Sequence, residues 1–280
     1  DRTPSLDNGT RSVVIFADKT RDDSNLPAMI RRFGSNFMVK PRVVWLESLN
    51  LISGCTGCLA CAMDLRCVFT EKDGHREIVD SVLTKSDIVV FASDVEHCYL
   101  TSRWQAFLTR LFFNGHVPLV QGRQMGVILS GPLSDYPYIR EVFDGFMGYS
   151  QNNLFDFVTD ENPDHEGIEA DLDNMAAELL SASEAGYIQP RRFQALCAHK
   201  VFRDEIFGSL GVVFQHDHQY FARNKLYDFP TGRLGRRMVN ALLYMLLKTP
   251  GLRKRFYTKE MVPGMVRPYK KILERARKNT

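Results

Sequence analysis

The apolar positions in the first two thirds of the chain form short continuous runs, separated by segments in which apolar residues recur every three or four positions. Continuous runs rich in Val and Ile predict buried parallel strands, and the recurring pattern predicts helices. The predicted strands lie at 12–17, 42–46, 87–92, 125–130 and 154–158, and the predicted helices at 26–30, 71–85, 102–113 and 168–183. Because strands and helices alternate, the pattern predicts an α/β fold with a doubly wound sheet of five parallel strands.

Beyond residue 185 the strand-like runs give way to helical patterns. Residues 232–248 predict a strongly apolar helix, and residues 263–278 predict a basic amphipathic helix. We therefore expect one domain at 1–185 and a basic, mainly helical extension at 186–280.

Two histidines flank an aspartate in this extension, at His216, Asp217 and His218. Histidine and carboxylate side chains are common metal ligands. Two histidines at this spacing, with no further ligand nearby, are more typical of a polar loop, which is the interpretation that we favour.

No stretch of the sequence is apolar over enough residues to span a bilayer. The longest apolar run of the C-terminal half covers residues 239–247 and is interrupted by Asn240 and Tyr244, whereas a transmembrane helix needs roughly 20 residues. No apolar segment that could act as a secretory signal precedes Ser12. We therefore expect no membrane span and a cytoplasmic location.

Four of the six cysteines lie within thirteen residues of one another. Cys55, Cys58 and Cys61 are spaced three positions apart, and Cys67 follows Cys61 by six positions. Compact runs of this kind wrap iron–sulfur clusters, whereas structural zinc sites usually draw their ligands from two separated pairs. A reducing cytoplasm also favours metal ligation over disulfides. The spacing predicts a metal site, with an iron–sulfur cluster favoured and with zinc or an empty cysteine loop as alternatives.

A polar loop follows the first predicted strand and leads into a helix that has Pro27 in its first turn. Hydroxyl and amide side chains of the loop, together with the N–H groups and the dipole of the helix, favour an anion such as phosphate. The loop lacks the glycines of dinucleotide sites and P-loops. It predicts a mononucleotide held by side chains, with an ordinary capped helix as the alternative. The cysteines follow the second strand, so we expect them at the same edge of the sheet.

Several short runs carry a resemblance to a known family. They are Gly-Cys-Thr-Gly-Cys-Leu-Ala-Cys at 54–61, Cys67, Lys-Asp-Gly at 72–74, Ser-Asp-Ile-Val-Val-Phe at 86–91 and Ser-Asp-Val at 93–95. Over residues 12–160 the chain resembles the iron–sulfur flavoproteins of the NADPH-dependent FMN reductase superfamily. The resemblance implies a flavodoxin-like fold with strand order 2-1-3-4-5, bound FMN, and a 4Fe–4S cluster on the four cysteines of loop 54–68.

By position, the resemblance places the flavin against three loops. The phosphate loop corresponds to Thr20, Arg21, Ser24 and Asn25. The isoalloxazine loop spans 93–100 and includes Ser93, Asp94, Val95, Glu96 and His97, and the third loop contains Ser130, Gly131 and Pro132. The family commonly has Ser/Thr-Pro-Val-Tyr, an aromatic residue and Gly in the isoalloxazine loop, whereas this chain continues with Glu96-His97-Cys98. We therefore regard His97 and Cys98 as candidates for acid–base or redox participation.

The resemblance implies a flavin-dependent oxidoreductase. Such a protein transfers electrons between a reduced donor, ferredoxin or NAD(P)H, and an acceptor through FMN and a 4Fe–4S cluster. The family also implies a homo-oligomer. Two acidic residues of the phosphate loop, Asp22 and Asp23, depart from what a phosphate site would favour.

Charge is divided unevenly along the chain. Residues 1–185 carry 16 Lys and Arg against 27 Asp and Glu, a balance of −11, and residues 186–280 carry 20 against 6, a balance of +14. The opposite charges favour packing of the extension on its own core or on a neighbour's. In the alternative function, the core is a scaffold and the basic extension binds nucleic acid or an acidic protein. Nucleic acid is the less favoured partner because the phenylalanines of the extension resemble core residues rather than stacking groups.

Overall fold

The structure is a computed structural model that describes residues 6–18, 21–162, 164–229 and 234–278. The chain divides into two compact units. The sheet unit comprises residues 1–54, 69–112 and 118–199, and the helical unit comprises residues 55–68, 113–117 and 200–280. The cysteine loop belongs to the helical unit, although strands of the sheet unit flank it in the sequence. The predicted domain boundary at residue 185 stays a prediction.

Five parallel strands and one short antiparallel strand form the described sheet. The strands are β1 (Val13–Ala17), β2 (Arg42–Trp45), β3 (Ile88–Glu96), β4 (Tyr99–Leu100), β5 (Gln124–Ser130) and β6 (Asn153–Thr159). The order is β2-β1-β3-β5-β6, and β4 pairs antiparallel with β3. Apart from β4 this is the predicted order 2-1-3-4-5, so the flavodoxin-like fold is confirmed. β3 runs beyond the predicted end at residue 92 because Asp94 pairs with Ser130 of β5 and Val95 with Leu100 of β4.

Helices alternate with these strands. They are α1 (Leu26–Ser35), α2 (His75–Ile78), which continues as a π-helical turn over Val79–Leu83, α3 (Ser102–Arg110), α4 (Tyr138–Tyr149) and α5 (His165–Glu184). The helix predicted at 71–85 begins later than expected. Glu71 has a φ of 71°, in the left-handed region, which a right-handed helix cannot include. α4 was not predicted, since Gly145 and Gly148 weaken its helical signal.

One face of the sheet packs against α1 and α5. Alternate residues of β1 and β3, such as Ile15 and Val90, are buried there together with Phe33 of α1. Gly126 of β5 permits the close approach of α5, because a Cβ at this position would lie 2.9 Å from the sulfur of Met175. This face therefore forms a continuous aliphatic core.

The opposite face carries aromatic side chains. Phe16 and Phe91, on neighbouring strands, contact Phe107 and Trp104 of α3 at ring-centroid distances of 5.5 and 5.3 Å respectively. The indole Nε1 of Trp104 donates to the carbonyl oxygen of Ala92 at 3.0 Å. Because these rings fill the space between the sheet and α3, they fix α3 and the loop before it against β3.

The C-terminal part of the chain is helical, as predicted. Its helices are α6 (Phe193–Gly208), α7 (Gln215–Arg223), α8 (Leu234–Leu247), α9 (Pro250–Arg255) and α10 (Met261–Lys278), and a π-helical turn over Phe256–Glu260 joins α9 to α10. The predicted helices at 232–248 and 263–278 correspond to α8 and α10. Among the described residues, no helix combines the length and apolarity needed to cross a membrane. The cytoplasmic location stays a prediction.

A buried ion pair fixes the segments on either side of the cysteine loop. The side chains of Asp73 and Arg110 are hydrogen-bonded and are 0% and 1% exposed. The Asp73 carboxylate also accepts from the backbone N–H groups of Ile52 and His75, at 3.1 and 3.2 Å. Burial by itself raises the pKa of Asp73, but the hydrogen bonds from Arg110 and from the two N–H groups outweigh it and hold the pKa below its usual value. Because Ile52 precedes the loop and Asp73 follows it, one carboxylate joins both ends.

The imidazole of His75 is buried beside this pair. Its Nε2 lies 3.0 Å from the carbonyl oxygen of Phe107, which makes Nε2 the nitrogen that carries the hydrogen. Burial lowers the pKa of His75 to about 4. The ring is therefore neutral at neutral pH and serves to anchor α2 to α3.

Removal of the Asp73 charge should destabilise the protein far more than removal of an exposed carboxylate. Asp73→Asn leaves the Arg110 guanidinium buried without its counter-ion, so we expect the free energy of unfolding to fall by about 3–5 kcal/mol. Asp80→Asn is the matched control, because Asp80 pairs with Arg76 at the surface, where such a pair contributes about 0.5 kcal/mol or less. Urea unfolding followed by circular dichroism measures both variants. Equal losses would contradict the anchoring role of Asp73.

Candidate functional site

A buried carboxylate near the carboxyl end of β3 binds the loop that follows β1. Asp94 is 1% exposed. Its carboxylate accepts from the backbone N–H of Arg21 at 3.0 Å and from the Ser24 hydroxyl at 2.5 Å. The Ser24 oxygen accepts in turn from the N–H of Leu26, the first residue of α1, at 3.1 Å. The predicted phosphate loop is therefore tied to β3 through Asp94.

A second buried carboxylate joins the end of β1 to the start of α3. Asp18 is 2% exposed. Its carboxylate accepts from the Thr101 hydroxyl and forms an ion pair with Arg103. Thr101 also caps α3, because its hydroxyl oxygen accepts from the N–H of Trp104 at 3.2 Å. The N-terminus of α3 is thus held beside the loop after β1.

The third predicted flavin loop is bound by a carboxylate that follows β6. The hydroxyl of Ser130 and the N–H of Gly131 donate to Asp160 at 2.8 and 2.7 Å. Gly131 has a φ of 131°, and a Cβ at this position would lie 2.9 Å from the Cβ of Val95. The backbone therefore approaches β3 as closely as only glycine allows, while Pro132 is exposed.

The central part of the predicted isoalloxazine loop is a tight hairpin. Glu96 pairs with Tyr99, and the two residues between them, His97 and Cys98, have φ values of 47° and 66°. Positive φ at both central positions defines a type I′ turn, which normally contains Asn or Gly because other residues are strained there. Both side chains are exposed. Strain retained at an exposed turn favours a functional role for these residues.

Tyrosines surround the Cys98 end of this turn. The Tyr138 hydroxyl donates to the carbonyl oxygen of Cys98, and the Tyr138 ring stacks on Tyr99 with centroids 6.5 Å apart. A hydrogen bond with the Cys98 side chain raises the pKa of Tyr136. The Tyr136 hydroxyl is therefore a neighbour of the Cys98 side chain.

The cysteine loop turns sharply at three points. Gly57, Leu59 and Leu65 have left-handed φ values of 66°, 53° and 60°. Within the helical unit, Asp64 forms an ion pair with Arg253 at 2.8 Å, and Arg253 also donates to the carbonyl oxygen of Ala60. These contacts join the loop to α9.

Apolar residues of the loop are part of the core of the helical unit. Ala62 and Met63 are buried together with a set of helix residues: Ile206, Val213, Phe214, Phe221, Leu247, Tyr257 and Met261. The Tyr257 hydroxyl donates to the carbonyl oxygen of Val213 at 2.7 Å, and burial raises the pKa of Tyr257 to about 12. The cysteine loop is therefore built into a folded core rather than extended over a surface.

The four thiols of the loop differ in exposure. Cys61 is buried and Cys67 is half-buried, whereas Cys55 and Cys58 are exposed. Burial is the main cause that raises the pKa of Cys61 to about 12, and the charges of Cys67, Cys58 and Cys55 add to it.

Four soft donors on one loop fit an iron–sulfur cluster in number and chemical type. A single zinc ion would instead need the sulfurs to converge, at about 2.3 Å from the metal. In the part of the chain that the structure describes, no three His, Cys, Asp or Glu side chains are grouped to hold a metal ion. The finding applies to an iron–sulfur cluster as well as to zinc, so the arrangement by itself supports neither, and both stay predictions.

The donors of the phosphate loop could bind the phosphate of FMN only if the Asp94 carboxylate released them. The N–H of Arg21 and the hydroxyl of Ser24 bind an anion, as expected, but that anion is the chain's own carboxylate. Ser93, also predicted to face the flavin, donates its hydroxyl to the carbonyl oxygen of Asp94 at 2.8 Å. Thr20 lies outside the described residues.

The sequence reasoning missed Asp18 and Asp160. Each directly follows a strand. This position could have indicated a functional role, because the carboxyl ends of parallel strands meet at the edge of the sheet where ligands bind. The prediction of a polar loop around Asp217 is wrong. Asp217 lies in the first turn of α7, where its carboxylate is buried and accepts from the N–H and the ring Nδ1 of His116 at 2.6 and 3.0 Å. These residues are 101 positions apart, so no local pattern indicated the contact.

Comparison with known proteins supports the fold. No family profile and no curated protein matches the sequence. RosB with the bound intermediate 8-demethyl-8-formylriboflavin-5′-phosphate is 11% identical, with a TM-score of 0.50 over 69% of this chain and 87% of RosB. An FMN-dependent NADH-azoreductase from Bacillus anthracis, in complex with FMN, is 14% identical, with a TM-score of 0.44 over 63% of this chain and 99% of the azoreductase.

An NAD(P)H:quinone oxidoreductase from Methanothermobacter marburgensis is 11% identical, with a TM-score of 0.44 over 66% of this chain and all of that chain, 100%. At these identities the likeness concerns the fold. The likeness to RosB and the strand order therefore support the predicted flavodoxin-like fold.

Replacement of the strained hairpin residues by residues suited to the turn should stabilise the sheet unit. For the double variant His97→Asn, Cys98→Gly we expect the free energy of unfolding to rise by about 1–2 kcal/mol, because both replacements tolerate positive φ. Glu96→Gln is the control, since it leaves both strained positions unchanged. Urea unfolding is the measurement, and a double variant no more stable than the control would contradict the strain.

Proposed function

We propose that this protein is an oxidoreductase that passes electrons between a reduced donor and an acceptor, using a flavin at the carboxyl edge of the sheet and a 4Fe–4S cluster on the cysteine loop. The observation that carries the proposal is the loop itself, which presents four cysteines from a backbone packed into the core of the helical unit. Donors that are held in place before a ligand arrives bind it without the cost of ordering the loop.

Cys55, Cys58, Cys61 and Cys67 are the proposed cluster ligands. When bound, a cluster supplies one-electron chemistry and a flavin supplies one- or two-electron chemistry. Cys61 is shielded from water, whereas Cys55 and Cys58 are exposed. The exposed side of the loop would be open to a protein donor such as ferredoxin.

The cofactor that we propose is a flavin, either FMN or its dephosphorylated form riboflavin. RosB, which shares the fold, has a flavin 5′-phosphate intermediate bound, and in folds of this class ligands bind outside the carboxyl ends of the strands. On this chain, His97 can hold or release a proton at its ring nitrogens, and Glu96 at its carboxylate. Asp18, through Thr101 and Arg103, would keep the neighbouring loop in position. NAD(P)H is the proposed small-molecule donor.

Protein purified without oxygen should contain about four irons per chain, as one 4Fe–4S cluster requires. Cys58→Ser should lose this iron because it removes one of the four ligands. Cys197→Ser is the matched control, since Cys197 is also exposed but lies outside the loop. Iron and acid-labile sulfide assays measure the content. Zinc in place of iron, or full iron in Cys58→Ser, would refute the assignment.

Exposed apolar side chains on two helices of the helical unit support a homo-oligomer. Met238 and Met245 of α8 are 72% and 60% exposed, and Tyr269 of α10 is 67% exposed. Apolar patches of this kind mark interaction sites. We propose that a second copy of this chain covers them, because residues 186–280 carry a balance of +14 and residues 1–185 a balance of −11, so that a second copy offers an acidic surface to the basic helices.

Placing a charge on this apolar face should break the oligomer. Met245→Glu should reduce the mass to that of one chain, because a buried carboxylate without a partner is costly. Met38→Glu is the matched control, since Met38 is 59% exposed and lies in the sheet unit. Light scattering measures the mass. An unmodified protein that is monomeric and binds DNA in a strongly salt-dependent way would favour the alternative, a scaffold with a nucleic-acid-binding extension.

A further inference from the structure

The loop after β1 already binds an anion of the chain itself, the Asp94 carboxylate of β3. Asp94 is 1% exposed, and its two carboxylate oxygens take one donor each, the Arg21 N–H and the Ser24 hydroxyl. Backbone N–H groups and hydroxyls in a strand–loop–helix segment are the groups that a phosphate ligand uses. The carboxylate therefore stands where the phosphate of a mononucleotide would find its donors.

The first turn of α1 offers little to replace them. The N–H of Leu26 donates to the Ser24 oxygen, and the N–H groups of Ala28 and Met29 both donate to the carbonyl oxygen of Asn25. Pro27 has no N–H. The N–H groups from Leu26 to Met29 are thus all used inside the chain.

The charge of the loop also opposes a phosphate. The Arg21 guanidinium lies 3.7 Å from the carboxylate of Asp23, with both side chains exposed, and Asp22 adds a further exposed negative charge. A phosphate placed at Ser24 would meet the buried Asp94 carboxylate at contact distance, where like charges repel most strongly.

We infer that Asp94 is an internal substitute for the flavin phosphate, and that it makes this site bind riboflavin at least as well as FMN. This inference rests on the proposed function, because it concerns the flavin of that same site. The phosphate and the carboxylate compete for the same two donors. Whatever the isoalloxazine ring contributes is common to both ligands, so the ratio of their dissociation constants isolates the contribution of the phosphate. The change of that ratio in an Asp94 variant then isolates the effect of Asp94.

The test compares FMN with riboflavin on anaerobically purified, flavin-depleted protein that keeps its iron. Quenching of flavin fluorescence gives both dissociation constants. For the unmodified protein we expect riboflavin to bind as tightly as FMN or more tightly. For Asp94→Asn we expect FMN to bind at least about tenfold more tightly than before, a change of about 1.4 kcal/mol, with riboflavin unchanged.

Asp87→Asn is the matched control. Asp87 directly precedes β3, at the opposite end of the strand from Asp94, and its carboxylate also accepts from a backbone N–H and a hydroxyl, both of Ser12. The same change of charge at the opposite end of β3 should leave the ratio unaltered. Should Asp94→Asn fail to fold, as judged by circular dichroism, Asp94→Ser gives the same comparison with a smaller side chain.

The possible outcomes separate this inference from the proposed function. A gain in FMN preference confined to the Asp94 variants supports it. An unmodified protein that prefers FMN by tenfold or more, with no further gain in Asp94→Asn or Asp94→Ser, overturns the inference and leaves the flavin function intact. Failure of every variant to bind either flavin overturns both.

Discussion

Buried carboxylates need hydrogen-bond donors, and in the sheet unit this requirement organises the loops. A carboxylate removed from water is costly unless donors replace the water. The buried Asp18 and Asp94 and the half-buried Asp160 each take their donors from segments distant in sequence. The three predicted flavin loops are consequently tied to the ends of neighbouring strands, and the carboxyl edge of the sheet is both fixed in shape and negatively charged.

Ion pairs also position the cysteine loop and the segments that flank it. In the sheet unit, the buried Asp73 carboxylate binds Arg110 together with backbone on both sides of the loop. In the helical unit, Arg253 binds Asp64 and the carbonyl oxygen of Ala60.

The two candidate redox sites therefore differ in their electrostatics. The cysteine loop lies in a unit rich in basic residues, of which Arg253, Lys254 and Arg255 occupy the last turn of α9. The carboxyl edge of the sheet instead contains acidic groups whose hydrogen bonds are made within the chain. The basic surroundings of the cysteine loop favour a negatively charged prosthetic group. The acidic carboxyl edge of the sheet favours a ligand that is recognised through its uncharged part.

The strands, their alternation with helices and the spacing of the cysteines followed from the sequence, because apolar periodicity and ligand spacing are local properties. Strand order came from the family resemblance. Only the tertiary structure decided which groups meet: Ser24 with Asp94 across 70 positions, Asp217 with His116 across 101, and the cysteine loop with the helical core. The left-handed turn at His97 and Cys98 also escaped local reasoning, since their residue types disfavour it. Hydrogen bonds between distant residues depend on how the whole chain packs, which no short stretch of sequence encodes.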